Sequence, residues 1–187
     1  MTMHPLREYL SGLLDESLRR EQLQLLSISR EYLIGMLINF SLSDSLFVKD
    51  DPGSPMLVGL YQRAVESQGS QRTIAFRHLG DTALFISGFF NDHVERSVTG
   101  TGYYIGMGTS AYGRASSLSR SEVFAELSRK FPSLVEVFIS MSDQTTLKGH
   151  QSLDRLFERY MKNPTSKIIV DRLVREKVIP IFDVAAS

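Results

Sequence analysis

Apolar residues recur at helical spacing along most of this chain. Leu6, Tyr9, Leu10, Leu13, Leu14 and Leu18 follow the i, i+3, i+4, i+7 rule and predict a first helix. Pro5 sits in its first turn, where a missing N–H does no harm. "QLQLLS" then alternates Leu23 and Leu25 with Gln22 and Gln24, which predicts a short extended linker. Ser27 or Ser29 caps the next helix, marked by Leu33, Met36, Leu37 and Phe40. The Ser-, Asp- and Pro-rich stretch that follows predicts a loop, ended by Ser54 and Pro55 as N-cap and first helical residue. Leu57, Leu60, Tyr61, Ala64 and Val65 give a third helix, with Gly69 as its stop.

From Ser70 a long helix is predicted toward Phe90, with Phe76, Leu79, Ala83, Ile86 and Phe90 on one face. Its second half, "TALFISGFF", is apolar all round, so that half belongs in the interior. Ser121 and Glu122 open a short helix, and Pro132 opens another through Met141, although "SLVEVFIS" within it also fits a strand. Asp92 reads as the cap of a short turn. Two amphipathic helices are predicted over 153–161 and 169–178. There is no internal repeat, low-complexity segment or linker composition. The expected fold is all-α: one domain over residues 1–187, a bundle of about eight helices around a central Gly/Tyr-rich helix.

That central segment, "GTGYYIGMGTSAYG" from Gly100 to Gly113, holds five glycines, three tyrosines and no charge. Within it "GMGTSA" matches the dinucleotide fingerprint G-x-G-x-x-G/A, which needs a strand before it and a βαβ unit around it. The neighbours here read as helices, and no G-x-x-x-x-G-K-[ST] loop occurs, so a phosphate loop is disfavoured. On a helical wheel over 101–118, Gly102, Gly106, Ser110, Gly113 and Ser117 share one narrow arc. Tyr104, Met107, Ala111, Tyr112 and Leu118 lie opposite. Small arcs let another backbone approach closely, which predicts Gly106 at a tight helix crossing in the core. The remaining alternative is a groove beside the small arc with a tyrosine hydroxyl as polar handle.

Charge and composition then narrow the function classes. The net charge is zero, which removes the basic footprint expected of a nucleic-acid binder or a polybasic membrane-surface protein. No cysteine is present, so disulfides, thiolate metal sites and cysteine nucleophiles are excluded. Charged residues interrupt the apolar pattern of the first helix and no apolar run approaches membrane-span length, which predicts a soluble cytoplasmic protein.

The chain carries few catalytic constellations. His78 and Asp81, with Asp92 and His93, are the conceivable metal ligands, but their spacing matches no recognised motif, so no metal and no cofactor are expected. No G-x-S-x-G elbow is present, which argues against a hydrolase. Arg72 and Arg77 near His78, with Arg114 and Arg120 beyond the glycine-rich helix, are placed to converge on an anion or to end as solvated helix termini.

"FRHLGDTALFISGFF" followed by "YYIGMGTSAYG" resembles an uncharacterised family of bacterial proteins of about this length. The resemblance covers most of the chain. It implies a cytoplasmic helical protein of bacterial origin and brings no activity, cofactor or catalytic residue.

Two functional expectations follow. The first is a non-catalytic helical protein with a regulatory or scaffolding role, acting through a protein partner or self-association. The second is a small-ligand or nucleotide sensor, its anionic ligand held by Tyr103, Tyr104, Tyr112, Arg77, Arg114 and His78 beside the 101–118 helix. A pocket lined by the three tyrosines and a converging arginine would distinguish the second from the first.

Overall fold

The computed structural model describes residues 4–42, 56–96 and 100–144. Among them the chain forms eight α-helices and no strand. These are α1 (His4–Arg20), α2 (Ser27–Leu42), α3 (Met56–Glu66), α4 (Gly69–Phe89), α5 (Asn91–Arg96), α6 (Gly100–Ser119), α7 (Glu122–Arg129) and α8 (Phe131–Gln144). The Ser54–Pro55 cap and the helices predicted over 153–161 and 169–178 lie outside the described residues.

The all-α class is as the periodicity predicts, with local corrections. "SLVEVFIS" is helical, because Leu134, Val135, Val137, Phe138 and Met141 continue one buried face through α8. Asn91–Arg96 is a short helix rather than a turn. Gly69 opens α4 instead of stopping α3, with a φ of +56° that a side chain would resist. The "QLQLLS" linker starts with a helix stop supplied by a non-glycine residue. Gln22 takes φ +52°, its N–H donates to Arg19 O at 3.3 Å, and Leu23 N–H donates to Leu18 O at 3.0 Å. That pair of bonds is the Schellman pattern, and Leu23 packs back on the core as the motif requires.

The rest of the linker is pinned by α7. Glu126, only 4% exposed, accepts from Leu26 N–H at 3.0 Å and from Lys130 Nζ at 2.8 Å. Lys130 Nζ also donates to Gln24 O at 2.7 Å. The carboxylate thereby satisfies an orphan donor at the α2 N-terminus. Burial opposes its ionisation, yet Lys130 and Leu26 N–H hold its carboxyl below the usual range.

α4 is the axis of the bundle. It packs against α3, α5, α6 and α8, while α6 also meets α7 and α8, and α1 and α2 close the assembly against α8 and α7. Gly80 faces Tyr112 and Phe76 faces Arg114, so α4 and α6 run antiparallel. Three glycines make the close packing possible, each facing a ring on another helix. A Cβ built on Gly80 would stand 2.7 Å from the Tyr112 ring. One on Gly88 would stand 2.2 Å from Phe138 Cβ, and one on Gly108 would stand 2.0 Å from the Phe131 ring tip. Phe131 and Phe138 are fully buried, so neither ring has free space to retreat into.

The expectation for Gly106 is overturned. Gly106 is exposed, and a Cβ built there meets nothing within 4 Å. Gly102, Ser110 and Ser117 on the same arc are exposed as well, and Gly113 only approaches Ser128 of α7. The buried face of α6 is the opposite one: Tyr104, Gly108, Ala111, Tyr112 and Ala115. The reason is energetic. Burying two tyrosine rings removes far more apolar surface from water than burying glycines and serines. Closeness is supplied by the single Gly108 set among the bulky residues.

Candidate functional site

Two polar clusters are built on α4 and α6. The first surrounds Asp81. Gly80 leaves room for the Tyr112 ring to lie against α4, and the Tyr112 hydroxyl then donates to Asp81 Oδ1 at 2.7 Å. The Tyr32 hydroxyl, brought in by α2, donates to the same oxygen at 2.6 Å. Phe124 of α7 fixes both rings, stacked on Tyr112 at 6.0 Å between centroids and edge-on to Tyr32 at 5.4 Å. One carboxylate oxygen thus ties α2, α4 and α6 together.

Burial dominates the electrostatics of this cluster. It pushes the Asp81 carboxyl up to about 6, while the two hydroxyl donors and the Arg77 charge act in the opposite direction. Tyr32 and Tyr112 are pushed far above the ordinary phenol value, first by burial and then by the neighbouring carboxylate. Both hydroxyls therefore remain donors at every physiological pH. The cluster contains hydrogen-bond donors and one acid, with no activated nucleophile. The sequence signal for it was the "GD" at 80–81: a small residue beside a charge inside an apolar helix face.

The second cluster lies where α4 meets the C-terminal half of α6. The Phe76 ring is 1% exposed and edge-on to Tyr61 of α3. The guanidinium carbons of Arg72 and Arg114 sit 5.9 Å and 5.6 Å from its centroid, within cation–π range. Arg72 Nε is buried and has no hydrogen-bond acceptor among the described residues.

The six residues expected to gather at one site are distributed over several places. Tyr112 joins Asp81 in the interior, with no exposure of its side chain. Tyr103 and Tyr104 meet each other edge-on, 5.5 Å apart, in the first turn of α6. Tyr104 is buried and Tyr103 is half-buried, its hydroxyl without a partner. Arg77 is exposed on α4. His78 is half-buried between α4 and α3, where burial and then the charges of Arg77 and Arg63 hold it below the ordinary histidine value. Arg114 lies within cation–π range of Phe76, as Arg72 does, and not beside a tyrosine of the expected set.

Among the described residues no three His, Asp or Glu side chains are grouped to hold an ion. The side chain of His93 lies outside the described residues. No described helix is long and apolar enough to cross a membrane. No protein-family model, no curated protein and no solved structure matches the chain.

Proposed function

We propose that this chain is a non-catalytic helical protein that acts by receiving a helix of a protein partner on the outer face of α6. One observation carries the reading. Gly102 and Gly106 are exposed, and a Cβ at either would meet nothing. A glycine within a helix costs about 1 kcal/mol against alanine. Gly80, Gly88 and Gly108 offset that cost by admitting aromatic rings, whereas Gly102 and Gly106 gain nothing from the described fold. Local choices that weaken a fold without return inside it mark functional surfaces. A backbone bare of side chains, flanked by Ser110 and Ser117, is what a second helix needs for close approach.

Because the chain has no cysteine, a single reporter thiol can be placed at will. Ser110→Cys carrying a photo-crosslinker should join a partner helix more efficiently than Glu136→Cys, which is exposed on α8. Adding Gly106→Leu should abolish that product without lowering the melting midpoint. Equal labelling from both positions, or a product indifferent to Gly106→Leu, would refute the reading.

A further inference from the structure

We propose that Arg72 and Arg114, both within cation–π range of Phe76 where α4 meets α6, bind the phosphoryl group of a small phosphate monoester. The inference is independent of the reading of the outer α6 face. Charge is paired unevenly among the described helices of a chain whose net charge is zero. α1 and α2 neutralise their cations locally: Arg7 pairs with Glu31, Arg19 and Arg20 with Glu16, and Arg30 with Asp15 and Glu31. Lys130 is matched by Glu126. Arg72, Arg77 and Arg114 have no ion-pair partner among the described residues.

Arg72 and Arg114 share the Phe76 ring with no carboxylate among the described residues to match them, so an anion held by both would offset their mutual repulsion. Contact with the Phe76 ring restricts both long side chains, so part of their rotamer entropy is lost before a ligand arrives. Arg72 Nε is already out of water and has no acceptor among the described residues, a buried donor that a phosphoryl oxygen would satisfy.

The chemistry of the ligand follows from the charge. Two guanidiniums offer a charge of two and several N–H donors in planar forks. A carboxylate would leave one of them unmatched. A phosphate monoester carries close to two negative charges at neutral pH, with three acceptor oxygens.

The experiment is thermal melting of the full chain in chloride, inorganic phosphate or methyl phosphate at constant ionic strength. Saturable binding at about 20 times the dissociation constant raises the folded-to-unfolded ratio about 20-fold and the melting midpoint by roughly 5 °C. We expect that rise with both phosphates and its loss in Arg72→Gln and in Arg114→Gln. A rise with inorganic phosphate alone would identify a site closed to esters and overturn the monoester assignment. No rise in either phosphate, or the same rise in both variants, would overturn the site itself. Arg114 is exposed, so Arg114→Gln tests the site even if Arg72→Gln fails to fold. Arg114→Lys keeps the charge but not the fork, and should weaken the response instead of removing it.

Discussion

The two faces of α6 use the same residue type for opposite ends. On the inner face Gly108 accepts the Phe131 ring, and no side chain fits there. On the outer face, two residues away, Gly106 stands in open space. Composition cannot separate the two, since both lie in "GMG". What separates them is the neighbours one turn away. Gly108 is flanked by Tyr104, Ala111, Tyr112 and Ala115 on a face that must be buried, and Gly106 by Gly102 and Ser110 on a face that need not be. A glycine among large apolar residues marks a shortage of space. A glycine among small polar ones marks a backbone left bare.

The largest effect is expected where a new methyl group meets another helix near its backbone. At Gly88 the obstacle is Phe138 Cβ at 2.2 Å and its Cα at 3.2 Å, neither of which can swing aside. Gly88→Ala should therefore cost more than the ~1–3 kcal/mol typical of overpacking. At Gly108 the obstacle is a ring tip, so Gly108→Ala should cost about 2 kcal/mol after the gain in helix propensity. Urea midpoints of the two variants test the order. A Gly108→Ala protein as stable as the parent would erase the distinction between the faces.

Most of the fold was legible, because the helices of this chain bury amphipathic faces at regular spacing. The face of α6 was misread for a physical reason. The wheel separates small from bulky residues but does not say which arc the rest of the bundle covers, and a rule drawn from membranes, where hydrophobic area does not drive packing, favoured the small arc. In water the tyrosines decide. The Asp81 cluster was half legible. Asp81 stood out in "RHLGD" only as a conceivable metal ligand beside His78, and its actual partners are Tyr32 and Tyr112, 49 and 31 residues away. No local pattern announces such a meeting.

That cluster extends the contrast from shape to charge. Removing one donor with Tyr112→Phe leaves the buried Asp81 carboxyl a single hydroxyl and should cost about 1.5–3 kcal/mol at neutral pH. The pH dependence has a definite sign. The folded-state value of about 6 lies above the ordinary 3.8, so the folded protein holds this proton more tightly than the unfolded chain. The stabilisation from Asp81 protonation is complete below about pH 4 and is lost as pH rises through about 6, a change of roughly 3 kcal/mol. Asp15, Glu16 and Glu126 are shifted downward, so their contributions act in the opposite direction, at lower pH. Subtracting the stability of Asp81→Asn from that of the parent isolates the Asp81 limb. A difference that stays flat between pH 4 and 7 would mean that the carboxyl titrates like an exposed one.

The smallest effect is the most diagnostic for the outer face. Gly106→Ala adds a methyl group that meets nothing, in a helix with regular structure on both sides. Helix propensity alone predicts a stabilisation of about 1 kcal/mol, a rise of roughly 2–4 °C in melting midpoint for a chain of this size. Gly108→Ala, two residues along, should move the midpoint downward. The opposite signs would arise from one substitution in one helix, with the faces as the only difference. If Gly106→Ala lowers the midpoint of the isolated protein, something already covers that face and the bare-backbone account fails. If it raises the midpoint while weakening the crosslink from Ser110→Cys, the helix has given up stability for a surface that another helix can approach.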